Sequence, residues 1–174
     1  MFIVFEGVDG TGKSTLMKNV AKEFDNSLAT FEPNSSKIRE ILFEDGVNKF
    51  SETLLFLADR AQHLEEVILP ALEDDKMVFC DRFVFSNLIY QEEYKDFINL
   101  VHKHFFNDIM PDLLIVLTKD EVEDEGEFRK QNELLKYNQE YKKLNSPDTL
   151  VINTSGGEWE KYERRIKEWI EIKS

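Results

Sequence analysis

Residues 7–14 read Gly7-Val8-Asp9-Gly10-Thr11-Gly12-Lys13-Ser14, followed by Thr15. They fill every fixed position of G-x-x-x-x-G-K-[ST], the pattern of a loop that wraps a polyphosphate. Its glycines let the backbone curl until successive amide N–H groups converge on one anion, and the following helix points its positive end at the same place. Lys13 is placed to put a charge between the β and γ phosphates of ATP, and the Ser14 hydroxyl to ligate Mg²⁺. Glycine is about 7% of residues in proteins, so a chance match is expected in roughly 1% of such chains or fewer.

The surroundings agree with the loop. An apolar run at 2–5 reads as a buried strand entering the turn. Residues 13–24 then repeat apolar side chains on one helical face through Leu16, Val20 and Phe24. Further strands are expected at 28–31, 77–80, 113–117 and 150–152, those at 77–80 and 113–117 being continuous apolar runs of the kind parallel sheets bury on both faces. Helices are expected at 38–43, 51–73, 94–106, 127–144 and 158–170. The longest carries Leu54, Leu55, Ala58, Ala61, Leu64, Val67, Ile68, Ala71 and Leu72 at helical spacing, with Pro70 kinking or tightening its last turn. The last carries Trp159, Tyr162, Ile166, Trp169 and Ile170 on one stripe. Strands alternating with helices predict an α/β fold: a five-stranded parallel sheet covered on both faces, in one domain over 1–174.

Composition narrows the function. The net charge of −13 argues against duplex DNA or RNA as a partner, because phosphate backbones need a basic face. A small anion is still allowed where a few Lys and Arg side chains converge in one cleft. Cys80 is the single cysteine, which excludes an internal disulfide and fits a reducing compartment. The apolar run at the N-terminus is too short for a signal peptide or a membrane span, so a cytoplasmic location is expected. His102 and His104, two apart on a helix, face different directions and make a poor metal pair.

Three further segments choose among P-loop reactions: Glu32-Pro33 after the second strand, Phe56-Leu57-Ala58-Asp59-Arg60-Ala61-Gln62-His63 on the long helix, and Asp81-Arg82-Phe83-Val84-Phe85-Ser86-Asn87-Leu88-Ile89-Tyr90-Gln91 after the third strand. Together with the phosphate loop, and in this order, they resemble the thymidylate kinase family over roughly the first 115 residues. The resemblance implies Mg²⁺-dependent transfer of the ATP γ-phosphoryl group to the 5′-phosphate of dTMP, in dTTP synthesis, by a homodimer packed through helices. In its terms Arg82 grips the acceptor phosphate, Phe56 stacks on thymine, Arg60 donates to its O4 and Asn87 pairs with N3. Tyr90 packs under the sugar, and Asp9 accepts from the 3′-hydroxyl. Glu32 joins the acceptor site, and Asp81 reaches the metal through water or orients Arg82.

Two departures stand out. The family's Arg-Glu-Pro-Gly-Gly-Thr loop is here Phe31-Glu32-Pro33-Asn34-Ser35-Ser36, which leaves Lys37 or Arg39 to supply charge. With Gly10 and Thr11 in the variable positions of the phosphate loop, a lid arginine is expected on ATP. The lid at 119–130 looks shortened and opens on an acidic run, with Arg129 the best candidate. The alternative reading is another deoxynucleoside or deoxynucleoside-monophosphate kinase.

Overall fold

The computed structural model describes residues 1–44, 46–121 and 131–174, giving only the backbone of 131 and 132. Five strands, β1 (Phe2–Glu6), β2 (Ser27–Phe31), β3 (Met77–Asp81), β4 (Leu113–Thr118) and β5 (Thr149–Asn153), form one parallel sheet in the order β2-β3-β1-β4-β5. The expected fold class is the one observed. The alternation of side chains along a strand sorts the core into two layers. Val4, Val78, Cys80, Leu114 and Val116 face one side. Ile3, Phe5, Phe79, Ile115 and Leu117 face the other. That second layer is covered by Leu16, Met17 and Val20 of helix α1 (Lys13–Ala21) and by Tyr162, Ile166 and Ile170 of α8 (Trp159–Lys173). The first layer is covered by α3 (Lys49–His63), α4 (Leu69–Glu73), α5 (Val84–Tyr90), α6 (Lys95–Phe105) and α7 (Gln131–Lys142).

Several sequence expectations need correction. α1 stops at Ala21, although Phe24 still packs on Phe79 with ring centroids 5.7 Å apart. The stretch expected as one helix, kinked or tightened at its last turn, is α3, a wide π-type turn at Leu64–Ile68, and α4. Pro70 has no N–H to return to the carbonyl four residues back, and its ring crowds that carbonyl, so the turn before it widens. The apolar stripe of α3 is also not its buried face. Leu54, Ala58 and Ala61 are exposed, whereas Thr53, Leu57, Asp59, Arg60 and His63 are buried. Periodicity follows apolar residues, and here the helix turns its polar side inward to line a cleft. In α8, Trp159 is 42% exposed and lies off the stripe's buried centre. The short helix α5 has no signature in its sequence, and its existence depends on a carboxylate from β1 described below. Residues 122–130, which hold most of the expected lid and Arg129, lie outside the described residues. Among the described residues no helix is long and apolar enough to cross a membrane.

The parallel register brings functional segments together. Phe5 of β1 pairs with Asp81 of β3, and Phe31 of β2 pairs with the same Asp81. The carboxyl ends of β1, β2 and β3 therefore open side by side, at the edge where open α/β sheets bind ligands. The phosphate loop turns back from β1 at Gly7, where φ is 142° and a Cβ would lie 2.2 Å from the Leu117 carbonyl oxygen. Gly7→Ala should therefore cost about 2 kcal/mol or more, through backbone strain and a clash with β4 that cannot move. Urea denaturation of the variant beside the parent measures it.

Candidate active site

The loop that follows Gly7 is braced from outside. Thr11 Oγ1 donates to the Val8 carbonyl at 2.8 Å, and Thr154 Oγ1 donates to the Thr11 carbonyl at 3.1 Å, tying the loop to the end of β5. Gly12 adopts a left-handed conformation with φ 81°, and a Cβ there would stand 2.7 Å from the Trp159 ring. α1 begins directly after it with no side-chain cap on its N-terminus, which leaves first-turn amides for an anion. Lys13 is 5% exposed, with Nζ 3.9 Å from Asp81 Oδ1 and 4.0 Å from Asp9 Oδ1. Burial, and next the Arg82 charge, pull its pKa below the ordinary lysine value, and the two aspartates oppose this. Ser14 Oγ donates to Asp81 Oδ2, while Asp81 Oδ1 has no hydrogen-bond partner. A serine hydroxyl and an aspartate oxygen side by side beneath the loop are hard donors suited to Mg²⁺ carried on a triphosphate. The residues present therefore fit the metal, with Ser14 and Asp81 as the groups that would hold it.

A cleft of about 460 Å³ opens beside the loop. Asp9, Lys13, Ser14, Glu32, Phe56, Arg60, Asp81, Arg82, Asn87 and Tyr90, all singled out from the sequence, line it together. Val8 and Thr11 are buried within the loop, and Thr15 follows in α1. Of the two cations left open, Arg39 lines the cleft, with Cζ 4.6 Å from the Phe31 ring centroid, and Lys37 is exposed outside it.

Arg82 leaves β3 with φ 73°, its backbone N–H bonded to the Phe5 carbonyl at 2.9 Å. Its Nη1 reaches the hydroxyls of Ser86 (3.0 Å), Tyr90 (3.0 Å) and Tyr141 (3.4 Å), and its Nη2 meets Asp9 Oδ1 at 2.5 Å. Behind it lies Glu6, fully buried at the end of β1. Glu6 accepts from the Phe83 and Ser86 amides at 2.9 and 3.1 Å, Ser86 Oγ at 2.6 Å and the Tyr141 hydroxyl at 3.2 Å. Burial pushes its carboxyl above the ordinary range, against the pull of Arg82 and these donors. The two backbone bonds occupy the start of α5, so a residue some eighty positions earlier does the work of an N-cap. Neither Glu6 nor Tyr141 was singled out from the sequence. Glu6 reads as the last residue of a strand, and Tyr141 lies beyond the segment where the resemblance is good.

The other end of the cleft is a second buried polar web. Arg60, 1% exposed, places Nη2 2.5 Å and Nε 3.1 Å from Glu32 Oε2. His63 Nδ1 lies 3.3 Å from Glu32 Oε1, and its Nε2 lies 2.7 Å from Thr30 Oγ1. Because the carboxylate only accepts, Nδ1 carries a proton. Asp59 accepts from the Asn34 and Ser35 amides at 2.8 and 2.7 Å, which holds the loop after β2 without the family's glycines. Among the residues that line the cleft, Arg60 Nη1, Asn87 Oδ1 and Arg39 Nε are left unpaired, beside Asp81 Oδ1 at the phosphate loop.

A phosphate loop meeting a strand-end Asp-Arg pair at one cleft is the architecture of P-loop nucleoside monophosphate kinases. Comparison with known proteins narrows this. A model of the thymidylate kinase family matches residues 5–166, and the chain belongs to that family. It is 36% identical over 124 residues to a thymidylate kinase of Helicobacter pylori, a match covering 69% of this chain and 63% of that protein. It is 37% identical over 137 residues to one from Finegoldia magna, covering 70% of this chain and 68% of that one. The crystal structure of thymidylate kinase from Ehrlichia chaffeensis superposes with a TM-score of 0.80 at 26% identity, covering 98% of each chain.

The pair of Glu32 and Arg60 generates a prediction. Glu32→Ala leaves the Arg60 charge buried without its partner, and should cost about 3–5 kcal/mol of stability. Chemical denaturation at neutral pH reads the loss directly.

Proposed function

We propose that this chain acts as one nucleotide kinase domain that transfers the γ-phosphoryl group of ATP to dTMP, giving dTDP and ADP. The observation that carries the reading is that, among the unpartnered polar atoms of the cleft-lining residues, Arg60 offers a donor and Asn87 an acceptor. Thymine offers the opposite pair on adjacent positions, O4 as an acceptor and N3–H as a donor. Phe56 lies four residues before Arg60 on α3 and lines the same cleft, in keeping with a ring that stacks on the base. Tyr90, also lining the cleft, suits the position under the sugar.

Chemistry in this reading is positioning and charge. A phosphate monoester has its second pKa near 6, so the acceptor is mostly dianionic at pH 7 and needs no general base. One of its oxygens attacks the γ-phosphorus as the bond to the ADP oxygen breaks, and the repulsion between the two anions must be offset. Lys13 meets the transferring group from the loop. Arg82 offers a planar fork to the acceptor phosphate, and Asp9, its present partner, is then released to accept from the sugar 3′-hydroxyl. Mg²⁺, when held by Ser14 and Asp81, supplies charge neutralisation on the phosphoryl oxygens. We place the ATP lid after β4 and retain Arg129 as its phosphate contact. Exposed Leu54, Ala58 and Ala61 on α3, with half-exposed Phe50 against Tyr94 and Phe97, support a homodimer packed through this helix.

Two outcomes test the proposal. Lys13→Ala should remove phosphoryl transfer by a factor of about 100 or more, because its charge acts on the transition state; a coupled ADP-release assay measures this. In the same assay, kcat/KM across the deoxynucleoside monophosphates should fall from dTMP to dUMP to dCMP. The dUMP step reflects one methyl group, about 1 kcal/mol. The dCMP step sets an amino donor against Arg60 and costs about 1–3 kcal/mol or more. Arg60→Ala should narrow the dUMP–dCMP gap while lowering activity overall. A purine nucleotide or dCMP outpacing dTMP overturns the base assignment.

A further inference from the structure

We propose that Glu52, which does not line the cleft, fixes the direction of the Asn87 amide and thereby sets the base preference; the inference rests on the dTMP reading above. Asn87 and Gln91 are 2% and 1% exposed, one turn apart at the end of α5. Asn87 Nδ2 donates to Gln91 Oε1 at 3.1 Å, and Gln91 Nε2 donates to Glu52 Oε1, also at 3.1 Å. The two ends of a carboxamide are nearly identical in shape and differ only in that one donates and the other accepts. Turned over together, Asn87 and Gln91 would bond to each other equally well, now with Asn87 Oδ1 accepting from Gln91 Nε2. The pair by itself therefore has no preferred direction.

Glu52 removes that degeneracy. A carboxylate has no proton to give, so Gln91 Oε1 turned toward it would put two acceptors in contact. Lys49 Nζ lies 3.1 Å from the other carboxylate oxygen, Oε2, while Oε1 accepts from Gln91. From the carboxylate the order follows: Gln91 gives its amino group to Glu52, Asn87 gives its amino group to Gln91, and Asn87 Oδ1 remains as the acceptor without a partner. An acceptor at that point matches the N3–H of thymine or uracil and opposes the bare N3 of cytosine. Glu52, about one-fifth exposed on the first turn of α3, thus acts through two amides as a positioning residue for specificity.

The test compares dTMP with dCMP in Glu52→Gln and Gln91→Leu, with kcat/KM for each nucleotide, the KM for ATP and the Tm read together. Glu52→Gln allows the two amides to turn over, and Gln91→Leu removes the link. In both variants the dTMP/dCMP ratio should fall by about tenfold, with the KM for ATP held. The charge exchange Lys49→Glu with Glu52→Lys presents a donor to Gln91, and should lower the ratio at least as far. If the parent prefers dTMP and both single variants keep that preference, Glu52 does not set the amide and the inference fails alone. A loss shared equally by both nucleotides and by ATP marks a merely structural role and also overturns it. A parent with no preference for dTMP removes the underlying reading, and this inference with it. Should Glu52→Gln fail to fold, Gln91→Leu decides.

Discussion

One buried carboxylate holds the Arg82 side of the cleft together. Glu6 is removed from water at the end of the central strand, which is affordable only because backbone amides, a serine hydroxyl and a tyrosine hydroxyl all point at it. Those donors belong to α5 and α7, so satisfying Glu6 also starts one helix and docks another against the sheet. Arg82 is fixed by the same hydroxyls rather than by Glu6 directly. The difference matters, since a direct ion pair would occupy the guanidinium fork with a competitor for phosphate, whereas hydroxyls orient Nη1 and leave the rest of the fork to exchange partners.

The second web obeys the same rule with different parts. Arg60 and Glu32 are each almost wholly buried, and His63, Thr30 and Asn34 extend the chain of bonds back to β2. Networks of this kind are costly when half satisfied and rigid when complete. Here each is complete except at the atoms that line the cleft. A rigid wall whose unpartnered atoms include a donor on Arg60 and an acceptor on Asn87 is a binding surface with its polarity already chosen.

What the sequence disclosed follows from how far apart the interacting groups lie. The phosphate loop was legible because its glycines, Lys13 and Ser14 are contiguous and the chemistry demands each at its place. Phe56 and Arg60 stood out only through the resemblance of their segment, and the strands as unbroken apolar runs. Glu6 with Tyr141 and Glu52 with Gln91 were not, because a bond between residues 135 or 39 positions apart leaves no periodic trace. The inward face of α3 was misread for a related reason: apolar periodicity locates the oily side of a helix, and this helix buries Asp59, Arg60 and His63 while leaving Leu54 outside. The sequence does not decide between Arg39 and Lys37, because their separation of two puts them on different sides of a short helix whose orientation is a tertiary matter.

The packing of Trp159 on Gly12 has an optical consequence. The chain has only two tryptophans, and one of them rests its six-membered ring on the loop that would embrace a triphosphate. Indole emission depends on the polarity and rigidity of what touches the ring, so displacement of the loop by even a fraction of an ångström is transcribed into colour and intensity. With Trp169 partly buried at the opposite end of α8, the two signals are spatially separate. The molecule thus carries a native fluorophore at its phosphate loop, and the arrival of a nucleotide can be followed in real time without attaching a dye.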